Sequence, residues 1–216
     1  IKYRVYKVCS MAPPSSGGVA VLQILGLLEH KDMANIKANS AEAIHYFSQA
    51  SRIAFADRNK YIGDPDFTQV PTEELLNKDY IATRAKLITE KDQKAFPGDP
   101  VDYLSYANDD SFELPSTSHV SIVDSKGNAV SMTSSIEMAF GSTVMVNGFI
   151  LNNQLTDFSL SPRKNGKLVA NRVEAHKRPR SSMSPVMVFN QDGSLRLVVG
   201  SPGGSRIIDY VAQVVI

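Results

Sequence analysis

The spacing of apolar residues changes partway along this chain, and that change constrains the fold more than any other feature. Before residue 90 apolar side chains recur at three- and four-residue steps, and beyond residue 117 they alternate one by one. The first period puts residues on one face of a helix and the second on one face of a strand. "VAVLQILGLLEH" (19–30) reads as a buried helix. Residues 41–61 read as a second helix, with Ala43, Ile44, Phe47, Ala50 and Ala54 on one face. "TEELLNKDYIATRAKLI" (72–88) reads as a third, capped by Thr72. Strands are expected at 3–10, in "SHVSIVD" and "AVSMTSSI" joined by the turn "SKGN", across "MVNGFILNNQ", and in "PVMVFN" and "GSLRLVVG" joined at "QDG". A last helix leaves "SPGGSR". The polar stretch 91–116, with Pro97, Gly98 and Pro100, reads as an exposed, mobile loop. The pattern predicts an α+β fold, a sheet core covered by helices.

Composition narrows the function classes. A formal net charge of +1 gives no electrostatic case for nucleic acid. No run of 18 apolar residues occurs, so no membrane-spanning helix is expected. The single cysteine, Cys9, reads as a small hydrophobe on a strand and is compatible with any compartment. The four histidines, His30, His45, His119 and His176, are scattered and have no metal-ligand spacing, so neither metal nor cofactor is expected. The chain begins at Ile1 and closes in an uncapped apolar pattern, "RIIDYVAQVVI", which reads as a piece of a longer protein.

Four stretches carry chemistry. "GSPGGSR" (200–206) joins a strand to a helix. Free backbone N–H groups at such a helix start suit an anion or a developing oxyanion, and a tight turn explains the pattern equally well. "NNQLTDFS" (152–159) gathers Asn152, Asn153, Gln154 and Asp157, a set suited to a polar zwitterion or to a hydrogen-bonded loop. "KRPRSSMSP" (177–185) offers the hydroxyls of Ser181 and Ser182 among basic residues, or a turn. Thr117 opens the strand of "STSHVSIVD" and has no evident base. Cleavage of the Ser116–Thr117 bond would supply one, because the new α-amine has a reference pKa of roughly 7.7 to 8.0 and can take the proton from its own Oγ.

In order, "MAPPSSGG", "FADRNKYIGDPDF", "STSHVSIVDSKGNAVSMTSS", "LNNQLTDFS", "KRPRSSMSP" and "GSPGGSRII" resemble the γ-glutamyltranspeptidase family over nearly the whole chain. The resemblance implies the αββα sandwich of the N-terminal nucleophile hydrolases, here partial. It implies a self-cleaving precursor, with residues 1–116 ending a large subunit and 117–216 beginning a small one. Thr117 is then the nucleophile, supported by Ser135, and Gly203 and Gly204 supply the oxyanion hole. Ser181 and Ser182 hold a substrate α-carboxylate, while Glu137, Gln154 and Asp157 hold its α-ammonium. The implied activity is γ-glutamyl transfer and hydrolysis of glutathione and related compounds, with amino acids or peptides as acceptors. The remaining parts of both subunits are the implied partners, and an exported location is implied for the protein.

The sequence departs from the family pattern at Ser118, which replaces the second Thr of a usual pair, and at Ser135, often Thr. Glu137 occupies a position that is Asn in some members. The segment between Asp157 and Lys177, the family's variable lid region, is short and lacks tyrosine, which implies an open site. Two other activities fit the same residues less well: a glutaryl or β-lactam acylase of the same superfamily, and an unprocessed, non-catalytic homologue. The enzyme is expected to be the full-length protein, with this stretch inactive or nearly so by itself.

Overall fold

A computed structural model describes residues 1–216 except Tyr103, Phe112 and Pro115. The expected α+β class is observed. Strands β1 (Lys2–Tyr3), β2 (Tyr6–Cys9), β9 (Val186–Phe189) and β10 (Leu195–Val199) form an antiparallel sheet in the order β1-β2-β9-β10. Register is fixed by the central pair, with Val8 opposite Val188 and Cys9 opposite Met187. Val8, Val186 and Val188 point to one face, and that face is dry. Helices α1 (Gly17–Leu28), α2 (Ala41–Tyr61), α4 (Lys78–Ala85) and α5 (Ile207–Val215) supply the residues packed on it. Ile24, Leu25 and Leu28 from α1 meet Ala50, Ile53 and Ala54 from α2 and Ile207, Ile208 and Val211 from α5. Each fully buried aliphatic side chain of this kind contributes about 1.5–3 kcal/mol of transfer free energy.

The hairpin β3 (Ser118–Val123) and β4 (Ala129–Ser134) forms with the expected turn, where Gly127 has φ 83° and Asp124 accepts from the N–H groups of Lys126 and Asn128. It lies beside β10, tied by the Ser131 hydroxyl donating to the Val199 carbonyl at 3.2 Å.

Several boundaries differ from expectation. The strand expected over 3–10 is two strands joined by a tight turn in which Arg4 has φ 52° and Tyr3 pairs with Tyr6. The helix expected over 72–88 is broken into α3 (Thr72–Leu75) and α4. Thr72 lies inside α3, and Asn77 caps α4 by accepting from the N–H groups of Asp79 and Tyr80. Asparagine competes with the helix backbone for those hydrogen bonds and so starts a new helix instead of continuing the old one. The run 145–154 is not one strand. Asn147 and Gly148 have φ 49° and 86°, the positive pair of a tight hairpin turn, and separate β5 (Met145–Val146) from β6 (Phe149–Ile150). Ile44 is exposed, so the inward face of α2 is set by Ala50, Ile53, Ala54, Asp57, Arg58 and Tyr61.

The described residues of the stretch 91–116 form no helix or strand, yet they are pinned at buried points. The Gly98 N–H donates to Asp57, the Arg84 guanidinium to the Phe96 carbonyl, and the Asp109 N–H to the Asn59 carbonyl. Asp57, fully buried on α2, also accepts from Gln23, Tyr80 and Arg84, so one carboxylate ties α1, α2, α4 and this stretch together. These anchors were not legible as hydrophobic pattern because every one of them is polar.

Candidate active site

The start of α1 explains how Ser181 and Ser182 are held. The Ser16 N–H and hydroxyl both donate to the Ser181 carbonyl at 2.7 Å, the Ser15 hydroxyl donates to the Met183 carbonyl at 2.6 Å, and the Ser181 N–H returns to the Pro14 carbonyl. The two chains run so close that a Cβ at Gly17 would sit 2.1 Å from the Ser184 Oγ, so only glycine fits there. On the other side, Asp64 takes a two-pronged ion pair from Arg178 and accepts from the Arg178 N–H, which anchors the approach to the serines. The Arg178 guanidinium holds the Asp64 carboxyl down at about 2.

Thr117, Ser135, Glu137, Gln154, Asp157, Ser181, Ser182 and Gly204 line one cleft, although they come from five separate places in the chain. Gly203 completes the expected set through its backbone. Its N–H donates to the Ser116 carbonyl at 2.8 Å. That carbonyl belongs to the Ser116–Thr117 peptide bond, so the donor expected to stabilise an oxyanion already polarises it. Gly203 has φ 134° and Gly204 φ 59°, which side-chain-bearing residues rarely adopt, and the short 3₁₀ turn at Gly204–Arg206 then runs into α5. Thr117 itself has φ 93°, a rare conformation for a β-branched residue and one that concentrates at functional sites.

Ser135 follows β4 directly, and its hydroxyl accepts from the Glu137 N–H at 2.9 Å, fixing the turn in which Glu137 has φ 69°. Gln154 donates to Glu137 at 3.3 Å and lies 3.5 Å from Asp157. Burial, then repulsion from Glu137 and Glu113, pushes the Asp157 carboxyl up to about 7. Burial raises Glu137 as well. Two carboxyl groups that close cannot both ionise cheaply without a cation between them. The loop is positioned from behind by buried Asn171, which donates to the Asp157 carbonyl and to Asp109 and accepts from the Arg180 N–H. Phe158 is buried beside it, and the segment that follows forms the small hairpin β7 (Arg163–Lys164) and β8 (Lys167–Leu168) before returning to the core at Val169 and Ala170.

Two charged residues of the cleft, Glu113 and Arg180, and Arg58 behind them were not singled out from sequence. Glu113 accepts from the Ser182 hydroxyl at 2.7 Å and from Arg58 at 2.6 Å, and Arg180 lies 3.2 Å away. Burial alone would raise Glu113, but the two guanidiniums and the Ser182 hydroxyl hold it at about 2. Arg58 follows Asp57 on the inward face of α2, where Gln49 and Ser51 are buried as well. Nothing local marks Glu113, whose partners lie 55 to 69 residues away.

The strand-to-helix turn at Gly203 thus meets the carbonyl of a peptide bond that ends at a strained threonine. The family model for gamma-glutamyltranspeptidase matches residues 1–216. A glutathione hydrolase proenzyme of Escherichia coli is 44% identical over 99% of this chain and 37% of its own length. One from Bacillus subtilis is 40% identical over the same shares. A crystal structure of a cephalosporin acylase from Bacillus halodurans superposes with a TM-score of 0.77 at 26% identity, covering 100% of this chain and 36% of the acylase. The chain belongs to the gamma-glutamyltranspeptidase family. It spans about 37% of the length of these curated relatives, and its fold is that of the N-terminal nucleophile hydrolases.

Proposed function

We propose that the full-length protein cuts itself between Ser116 and Thr117 and then acts as a γ-glutamyltransferase and glutathione hydrolase. Residues 1–116 then close the large subunit and 117–216 open the small one. The observation that carries the reading is the Gly203 N–H on the Ser116 carbonyl, next to a threonine held at φ 93°. In maturation the Thr117 Oγ attacks the Ser116 carbonyl carbon, the C–N bond breaks, and the Thr117 nitrogen takes the hydroxyl proton. Water then hydrolyses the ester, leaving a Ser116 carboxylate and a free Thr117 hydroxyl beside its own amine. A cavity of about 460 Å³ bordered by Ser116, Thr117 and Ser135 gives water a route to that ester.

In turnover the same Oγ attacks the γ-carbonyl of the donor, and the amine-bearing product leaves with a proton. The tetrahedral oxyanion takes the place now held by the Ser116 carbonyl, on the N–H groups of Gly203 and Gly204. Water, or an amino acid or peptide, then accepts the γ-glutamyl group from Thr117. Ser135 positions the nucleophile, Ser181 and Ser182 take the α-carboxylate, and Glu137, Gln154 and Asp157 take the α-ammonium. Two carboxyl groups and an amide are a poor site for an uncharged or purely anionic acyl group and a good one for a zwitterionic head. The proposal extends to an exported location, on family likeness. Among the described residues no helix is long and apolar enough to cross a membrane.

The test is a substrate panel on the processed full-length enzyme. Release of p-nitroaniline from the γ-glutamyl anilide, far faster than from the glutaryl anilide and absent in Thr117→Ala, supports the reading. Faster glutaryl release would make the protein an acylase.

A further inference from the structure

One buried amide joins the two sides of the cleft. Asn171 is fully buried, and its side chain has fixed partners on both sides. Its Oδ1 accepts from the Arg180 N–H at 2.8 Å, and Arg180 directly precedes Ser181. Its Nδ2 donates to the Asp157 carbonyl at 2.8 Å and to the Asp109 carboxylate at 3.0 Å. Asp157 closes the 3₁₀ turn Gln154–Asp157, and just beyond that turn the Ser159 N–H donates to the Asn171 carbonyl at 2.9 Å. A single planar group therefore spans from the main chain that carries Gln154 and Asp157 to the main chain that carries Ser181 and Ser182. The span needs a donor and an acceptor in one short side chain. Asparagine has both, an ionised aspartate only accepts, and an apolar side chain does neither.

The mount of this amide is rigid. The Ala170 carbonyl, one residue ahead, accepts from the Thr68 hydroxyl at 3.1 Å and from the Lys177 ammonium at 2.9 Å. A Cβ at Gly63 would come within 2.6 Å of that same oxygen, so the chain leaving α2 is pressed against the back of Asn171. Asp109 is held in turn by its own N–H on the Asn59 carbonyl at 3.0 Å and by the Arg180 guanidinium at 3.1 Å. Asp109 precedes the bond to be cut and Asn171 follows it, so their hydrogen bond crosses the proposed subunit boundary. These are direct contacts around a buried side chain, and none depends on a surface that the rest of the protein covers.

We propose that Asn171 is a positioning residue that fixes the spacing between the two halves of the cleft, so that the enzyme reads the ammonium and the carboxylate of its donor as one rigid pair. The inference rests on the proposed γ-glutamyl chemistry, which assigns a charge to each half. Asn171 touches neither charge. It acts through the main chain of Asp157 on one side and of Arg180 on the other, and a small displacement of either costs selectivity because ion-pair and hydrogen-bond geometry is lost. The residue makes specificity a joint property: loosening this one amide loosens both recognitions together.

The test compares kcat/KM of the processed full-length enzyme on three anilides: γ-glutamyl, its α-carboxamide and glutaryl. The first against the second gives the preference for the carboxylate, and the first against the third gives the preference for the ammonium. Each is a ratio within one preparation, so a smaller folded fraction, which is all that a purely structural residue would produce, cancels. Asn171→Ala should shrink both preferences by about 10-fold, the worth of one or two hydrogen bonds. Asn171→Asp keeps the shape and the acceptor for the Arg180 N–H, but sets oxygen against the Asp157 carbonyl and the Asp109 carboxylate. It should therefore shrink the ammonium preference and spare most of the carboxylate preference. An added negative charge by itself would raise the ammonium preference, so a fall reads displacement of the Asp157 turn. Preferences that stay at the wild-type value in both variants, or an isosteric Asn171→Asp protein that cannot self-process at all, overturn the positioning role and leave the γ-glutamyl reading standing. A wild-type enzyme that prefers the glutaryl anilide sinks the γ-glutamyl reading and the positioning role with it.

Discussion

Binding of an amino acid in this cleft should expel a proton, and the amount can be worked out. Asp157 is pushed up to about 7 by burial and by repulsion from Glu137 and Glu113, and burial beside Glu137 favours its neutral form in the cut enzyme as well. About nine-tenths of Asp157 is therefore protonated at about pH 6, half at about pH 7 and a tenth at about pH 8. An α-ammonium seated between Glu137 and Asp157 favours the ionised form of both and returns Asp157 to the ordinary range near 4 or below. Binding of L-glutamate should then release about 0.9 proton at pH 6, falling to about 0.1 at pH 8. Glu137, raised in the same direction, can only add to this. The new Thr117 amine does not interfere at the low end, because with a reference pKa of roughly 7.7 to 8.0 it is protonated at pH 6 both with and without ligand. Calorimetry of the processed full-length enzyme in two buffers of different ionisation enthalpy reads the number directly. Binding at pH 6 with no proton released, or with the same release in Asp157→Asn, would refute the assignment of this pair to the ammonium.

Three other outcomes follow from the geometry. Asp57→Ala strands Arg84 and leaves the Gly98 N–H without its acceptor, so it should lose about 3–5 kcal/mol in chemical denaturation, and a loss below about 1 kcal/mol would show that the hub is dispensable. Gly203→Ala puts a side chain on a residue at φ 134° and its Cβ 3.0 Å from the Tyr210 ring, so self-cleavage and turnover should both fall, by about 10²- to 10³-fold if the donor is displaced. Asp64, with its carboxyl lowered from 3.8 to about 2 by Arg178, contributes stability that is present above its unfolded value and is lost as pH falls through the folded one. Denaturation midpoints should therefore drop between about pH 4 and 2, and Asp64→Asn should lower stability at neutral pH while flattening that acid limb.

What the sequence disclosed and what it hid divide along physical lines. The glycine pair at 203–204, the serines at 181–182 and the hairpin after Thr117 are local patterns with local causes, and each lies where the pattern puts it. The missed boundaries are also local. Asn77 interrupts a helical period that the apolar residues alone would continue, and Asn147–Gly148 turns a run whose composition suits a strand. The network behind the cleft is of another kind. Glu113, Arg58, Arg180, Asp109 and Asn171 meet only in three dimensions, and no period or spacing encodes a contact between residues 58, 113 and 180. The burial of Asp57 and Arg58 on the inward face of α2 is likewise seen only in the structure.

The account turns on Thr117 as a nucleophile made by cutting its own chain. The most direct test is the intact mass and N-terminal sequence of the purified full-length protein, followed over a day at neutral pH beside Thr117→Ala. Two polypeptides, the smaller beginning at Thr117, with the Thr117→Ala protein remaining whole, is the predicted result. A wild-type protein that stays in one piece, or is cut at any other bond, contradicts it.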